Sequence, residues 1–202
     1  MRPTTRPATI LGLGYPGGPK VDAAAQHPLA DPFAEDLPVS RLEPGSLDFS
    51  FSGLKTALLY AVRGMPTRRG PGGVPKPQPT PPPLTEQRVR DLAASFQRAA
   101  CHAVMLKIGR ALDMLGERGI VCRSILAGGG VTANSRLRKE LTALADERGL
   151  VLSLPAMGYC LDNAAMIAAL GARLYQEGHR DDLSLRAHPS SDLGSFLGSC
   201  TP

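Results

Sequence analysis

Three short stretches hold residue types able to do chemistry. The first is Gly128-Gly129-Gly130-Val131-Thr132-Ala133-Asn134, set between an apolar run and an amphipathic one. Glycines permit close backbone approach, and the free amides of a helix N-terminus favour a phosphate or another polar ligand group. Asn134 offers both a donor and an acceptor, which suits a nucleoside. A tight turn with a helix-capping residue explains the same letters equally well, and the spacing matches neither the Walker loop nor the GxGxxG fingerprint. The second stretch is Pro16-Gly17-Gly18-Pro19, with Asp22 three residues on. Its backbone amides can face a ligand, while Asp22 can accept hydrogen bonds from ribose or amino-acid groups. Taken alone, a rigid turn leading into a helix with an acid in its first turn is the simpler account. The third is Tyr159-Cys160-Leu161-Asp162-Asn163-Ala164-Ala165-Met166. Asp162 can cap the Ala-rich helix that follows or act as a hard oxygen ligand for a metal. One acid does not make a metal site, so capping is the better reading of that residue by itself.

Other reactive side chains point to less. His27, His102, His179 and His188 form no HxxxH or HxxH pair, and His102 falls near the apolar face of a long helix as a packed side chain. Cys101, Cys122, Cys160 and Cys200 show no CxxC spacing, which argues against a zinc knuckle or a redox pair. Cys122 lies in an apolar run and reads as a small core residue. No Ser-His-Asp or Cys-His arrangement is visible.

The elements that must position these residues follow from periodicity. Lys20 to Gln26 reads as a short helix, followed by an irregular Pro-rich stretch. Leu47-Asp48-Phe49-Ser50-Phe51 alternates like a half-buried strand, and Ser52 is placed to cap a helix carrying Leu54, Leu58 and Ala61. Residues 65–83 are dominated by Pro, Gly, Arg and Lys and read as a surface insertion, whose Arg68, Arg69 and Lys76 supply solvating charge. Thr85 then caps the longest helix, with Val89, Leu92, Phe96, Ala100, Val104, Ile108, Leu112 and Leu115 on one face and Gly119 at its end. Ile120 to Leu126 reads as a mostly buried strand, the helix after the glycine loop presents Leu137, Leu141 and Leu144, and Val151 to Leu154 is a short strand. Asp162 opens a last helix through about Glu177. This order predicts an α/β domain with ligand sites at strand-to-helix turns. The expected organisation is a disordered start over residues 1–7, a domain over 8–188 interrupted at 65–83, and a flexible tail over 189–202.

At 202 residues the chain is long enough for one domain with a sizeable core, and without tryptophan that core must be built from Leu, Ala, Val and Ile. A formal charge of +5 tolerates a nucleic-acid partner without requiring one. The N-terminus has two arginines but no apolar stretch behind them, so no signal peptide is expected, and no apolar run approaches the ~20 residues that span a bilayer. A cytoplasmic setting is the default, with no membrane partner.

Taken together, GLGYPGGP at Gly12–Pro19, LDFSFSGLKTA at Leu47–Ala57, AGGGVTANSRLR at Ala127–Arg138 and YCLDNAAMIA at Tyr159–Ala168 closely resemble the tRNA N6-adenosine threonylcarbamoyltransferases, also labelled Gcp-like glycoproteases. The resemblance runs from Ala8 to about His188, apart from the Pro-rich insertion. It implies an actin-like ATPase fold of the sugar kinase and actin superfamily, with this chain forming mainly the C-terminal lobe and the N-terminal lobe missing. It implies transfer of threonylcarbamoyl from threonylcarbamoyl-adenylate to the N6 amine of the adenosine beside the tRNA anticodon, together with other proteins of the threonylcarbamoylation complex. By the same resemblance Gly18, Asp22 and Asn134 bind the nucleotide-like substrate, and Asp162 is a ligand of one divalent metal ion, iron or zinc. The family's HxxxH pair and Ser-Gly-Gly-His loop are absent from this sequence. The metal site is therefore expected to be incomplete, and the chain, read as a truncated product, a fragment or half of a split enzyme, is expected to be weakly active or inactive alone. Two alternatives are a non-catalytic scaffold paralogue of the same complex and an ATP-binding half of another actin-like enzyme. Retention of Asp162 weighs against the first, and the FSFSGLKTA block against the second.

Overall fold

A computed structural model describes residues 7–39, 43, 45–66, 80–184 and 186. The chain divides into two units, Met1–Leu161 and Asp162–Pro202.

The first unit is organised by one long helix. In chain order it contains α1 (Pro7–Ile10), α2 (Gly17–Ala25), α3 (Ser52–Arg63), α4 (Glu86–Glu117), β1 (Ser124–Leu126), a 3-10 turn (Gly130–Ala133), α5 (Ser135–Arg148), β2 (Val151–Ser153) and a second 3-10 turn (Met157–Tyr159). At 1.5 Å per residue α4 is about 48 Å long, enough to serve two cores in succession. Thr85 caps it as the sequence predicts, its Oγ1 accepting from Arg88 N at 3.2 Å. Its far end closes with Ile120 N donating to Leu115 O at 2.9 Å.

The N-terminal half of α4 packs with α1, α2 and α3 around Ile10, Leu11, Leu54, Leu58 and Leu92. Its C-terminal half packs with α5 and β2 around Cys101, Leu137 and Leu141, with Val104, Ile108 and Leu152 against them. The Pro-rich stretch before α3 is fastened along the same helix by side chain to backbone bonds. Asp91 Oδ1 accepts from Asp31 N at 2.9 Å, and Arg98 Nε donates to Pro32 O at 2.8 Å with its guanidinium over the Phe33 ring. β1 and β2 pair in parallel, Ile125 opposite Leu152, with α5 as the crossover between them. The described chain is thus α/β with a small parallel sheet.

Several expectations need correction. Residues 47–51 form no strand: they run as coil, with no strand alongside to pair them among the described residues, and Leu47 and Phe49 stay exposed. Instead the Ser46 carbonyl just before them is bound by Lys107 Nζ and by Arg110 Nη1, which ties this segment to α4. Ser52 is the first residue of α3 rather than its cap, its hydroxyl being paired with Ser50 Oγ at 3.0 Å. The strand expected over Ile120–Leu126 shrinks to three residues and is far from buried, since Val121 and Leu126 are 81% and 77% exposed. Cys122 is half-buried and His102 is exposed, so neither is the packed core residue that periodicity suggested. The helix at Gly17 begins three residues before Lys20. A proline in the first turn gives up no intrahelical hydrogen bond, so Pro19 does not delay it.

The second unit contains α6 (Ala164–Gln176). Its cap is Asn163, whose Oδ1 accepts from Met166 N at 3.1 Å, so Asp162 lies outside the helix instead of capping it. The expectations for residues 1–6, 67–79 and 189–202 lie outside the described residues.

Leu92 joins α4 to the first core and is 1% exposed. Truncation to Leu92→Ala should destabilise the chain by about 2–5 kcal/mol, read as a lower urea midpoint at unchanged slope.

Candidate functional site

The glycine loop takes its shape from the residues around it. Gly129 has φ +89°, a left-handed conformation that a side chain would strain, and the chain then winds into the 3-10 turn. Thr132 holds that turn, its Oγ1 donating to Gly129 O at 2.7 Å. Asn134 ends it and caps α5, with Oδ1 accepting from Leu137 N at 2.9 Å. Arg138, one turn into α5, braces the loop from behind: Nε donates to Thr132 O, and Nη2 to Pro155 O and the Cys160 thiol. Hydrogen bonds from Thr132 and Arg138 draw the Cys160 thiol below its ordinary pKa.

The other half of the site comes from α2. Asp22 sits in the second turn of α2, too far along to serve the helix N-terminus as the sequence suggested. It faces α4 and α5 instead. Its carboxylate accepts from Gln26 Nε2 at 2.8 Å, Asn134 Nδ2 at 3.1 Å, Ser135 Oγ at 2.8 Å and Ser135 N at 3.3 Å, and from Gln97 Nε2. The half-buried carboxylate thus ties α2 to α4 and to the start of α5.

Beside this cluster lies a cavity of about 350 Å³, within the size range of small-molecule sites. Gly18 and Asn134 both line it, with Gln97, Cys101, Phe51 and Phe96 among the other walls. The two glycines of the PGGP turn differ in what they do. A Cβ on Gly17 would stand 2.9 Å from Ala8 Cβ, so Gly17 is needed for α1 and α2 to pack. A Cβ on Gly18 would meet nothing within 4 Å and would project into open space.

Of the four residues singled out in the sequence, Asp22 and Asn134 are hydrogen-bonded to each other, and Gly18 and Asn134 line one cavity. Asp162 opens the second unit. No group of three His, Cys, Asp or Glu able to hold a metal ion occurs among the described residues. One carboxylate falls short of the roughly three protein ligands of a transition-metal site, so these residues alone do not fit a metal centre. Sequence reasoning missed Gln97, Ser135 and Arg138 as parts of the site. Gln97 had a signal: it interrupts a line of small buried residues at i+4 spacing, Ala93, Gln97 and Cys101.

Burial pushes the Cys101 thiol from 9.0 up to about 12, with the negative charges of Glu140 and Asp22 adding to it and Arg136 opposing. Below pH 9 both folded and unfolded chains keep this proton, and its full contribution to stability is present. Between pH 9 and 12 the unfolded chain releases a proton that the folded chain retains, so stability falls as pH rises. Denaturant midpoints across that window should decline less steeply in Cys101→Ala than in the parent. The two glycines give a second test. Gly17→Ala should lower the melting temperature by several degrees, whereas Gly18→Ala should leave it nearly unchanged, both read by thermal unfolding.

With the geometry in hand, comparison with known proteins identifies the family. The family model for TsaD, tRNA N6-adenosine threonylcarbamoyltransferase, matches residues 4–169. The chain is similar to the curated tRNA N6-adenosine threonylcarbamoyltransferases of Symbiobacterium thermophilum (43% identical over 93% of this chain and 48% of the relative) and Salinibacter ruber (38% over 92% and 50%). That of Thermosipho africanus is 38% identical over 91% of this chain and 48% of its own length. The chain thus spans about half the length of the curated relatives it matches. Both the ordered motifs and the match over most of the sequence place this chain in the tRNA N6-adenosine threonylcarbamoyltransferase family.

Proposed function

We propose that the cavity between α2, α4 and α5 binds the nucleotide-like acyl donor threonylcarbamoyl-adenylate, and that the chain serves transfer of its threonylcarbamoyl group to tRNA. The observation that carries this reading is the meeting of Gly18 and Asn134 on one cavity, beside a hydrogen bond between residues 112 apart in sequence. Apolar walls from Phe51, Phe96 and Val104 suit a base, while the amides of Gln97 and Asn134 supply a polar corner. Gly18 leaves room for a ligand to approach the start of α2, where the first-turn amides have no intrahelical partner.

The chemistry is acyl transfer. The N6 amine of the adenosine adjacent to the anticodon attacks the carbamoyl carbon of the mixed anhydride. A C–N bond forms, the C–O bond to phosphate breaks, AMP leaves with the electron pair, and the amine loses a proton. In this reading the chain's own part is to hold the adenylate in a fixed pose, which lowers the entropic barrier to attack. Asp162 would supply one ligand to a divalent metal, iron or zinc, and no further ligand set accompanies it among the described residues. The chain forms part of an actin-like ATPase fold, and tRNA and the other proteins of threonylcarbamoylation are its partners in the cytoplasm. Within the chain, no described helix is long and apolar enough to cross a membrane.

Calorimetric titration of the whole chain tests this. A non-hydrolysable threonylcarbamoyl-adenylate analogue should bind at least about tenfold more tightly than ATP. Asn134→Ser, which keeps a capping oxygen for α5 but removes the amide, should weaken it by a similar factor. Preference for ATP would instead favour the ATP-binding reading, and no binding of either would remove the cavity from the reaction.

A further inference from the structure

Gln97 has no role in the family reading above, yet its surroundings are those of a ligand-contacting group. It lies midway along α4 and is 6% exposed, with Ala93 and Cys101 buried one turn to either side. An amide in such a position is unfavourable unless its polar ends are used. One end is used: Nε2 donates to Asp22 Oδ1. Because a carboxylate only accepts, that bond decides which end of the amide is which. The other end, Oε1, meets no donor among the described residues. It is not sealed in, since among the described residues the only fully enclosed side-chain nitrogen or oxygen without a partner is Arg88 Nε. The open space that Gln97 borders is the cavity.

The Asp22 oxygen that Gln97 touches has little left to offer a ligand. Oδ1 already accepts from Gln97, Asn134 and both donors of Ser135, while Oδ2 takes Gln26 at 2.8 Å and a longer contact from Ser135 N. A donor approaching Oδ1 therefore meets the Gln97 oxygen as the open acceptor beside it.

We propose that Gln97 is a ligand-contacting, specificity-determining residue of the cavity, its Oε1 accepting a hydrogen bond from an N–H or O–H donor of a bound nucleotide, with Asp22 as its positioning residue. This rests on the nucleotide reading of the cavity. Adenosine offers two kinds of donor, the exocyclic amine and the ribose hydroxyls. A buried acceptor in a mostly apolar cavity discriminates against an analogue lacking its donor, because the acceptor is then left unpaired.

The test is titration of the full chain with AMP, inosine monophosphate, 2′-deoxyAMP and 3′-deoxyAMP. The parent should bind AMP about tenfold more tightly than one of the three analogues, and which one it disfavours tells amine from hydroxyl. Gln97→Met, of similar length but without an acceptor, should erase that preference while binding the disfavoured analogue as the parent does. Three results would overturn the proposal: a preference that survives in Gln97→Met, an equal loss for all four nucleotides, as a purely structural bond to Asp22 would give, or no preference in the parent. Failure of the parent to bind AMP at all would sink the nucleotide reading first, and this proposal with it.

Discussion

The carboxylate of Asp22 is the constraint on which the geometry of the site rests. It projects from the second turn of α2 and gathers donors from the middle of α4 and the start of α5. Since it can only accept, it dictates the orientation of every amide that touches it. Asn134 must turn its Nδ2 inward, which leaves Oδ1 to receive Leu137 N and start α5. Gln97 must do the same, which leaves its oxygen outward. One carboxylate thereby orients three amide side chains, Gln26 among them, and through Asn134 helps begin a helix. Several charge-assisted bonds offset the cost of removing it partly from water.

Around that point α4 acts as the common wall of two cores. Leu92 and Ala93 belong to the first, Cys101 to the second, and Gln97 falls between them. The cavity opens where the two cores meet, lined by Phe51 and Phe96 from the first and by Val104 and Leu137 from the second. A polar corner in apolar surroundings is a favourable setting for recognition, since hydrogen bonds made there face little competition from water. Arg138 stiffens the opposite side, linking the glycine loop, the chain after β2 and Cys160 through one guanidinium. A loop carrying three successive glycines would otherwise be loose, and the fork geometry of arginine suits it to bind several acceptors at once.

Membership of the family gives this arrangement its chemical context, and the half-length match bounds what the chain can be asked to explain. The cavity and its polar corner lie within the first unit and stand on their own. Asp162 begins the second unit, and the proposal that it holds a metal rests on the motif around it.

What could be read from the letters was whatever depends on near neighbours. Thr85 as a cap, the amphipathic runs of α4 and α5, the short strand at Val151, and the ordered motifs that mark the family all rest on short spacings. Tertiary structure decided the rest. Alternation at residues 47–51 signals a strand only if another strand lies alongside, and none does among the described residues. An apolar run such as Ile120–Leu126 says that burial is favourable, without saying whether anything covers it. Asp22 shows the same limit most clearly. Its helix was legible, but its partners on Ser135 are 113 residues away, and no local rule could reveal that Oδ1 already receives donors from α4 and α5. The carboxylate that motif reading assigns to a ligand also ties α2 to α4 and to the start of α5 in the folded chain.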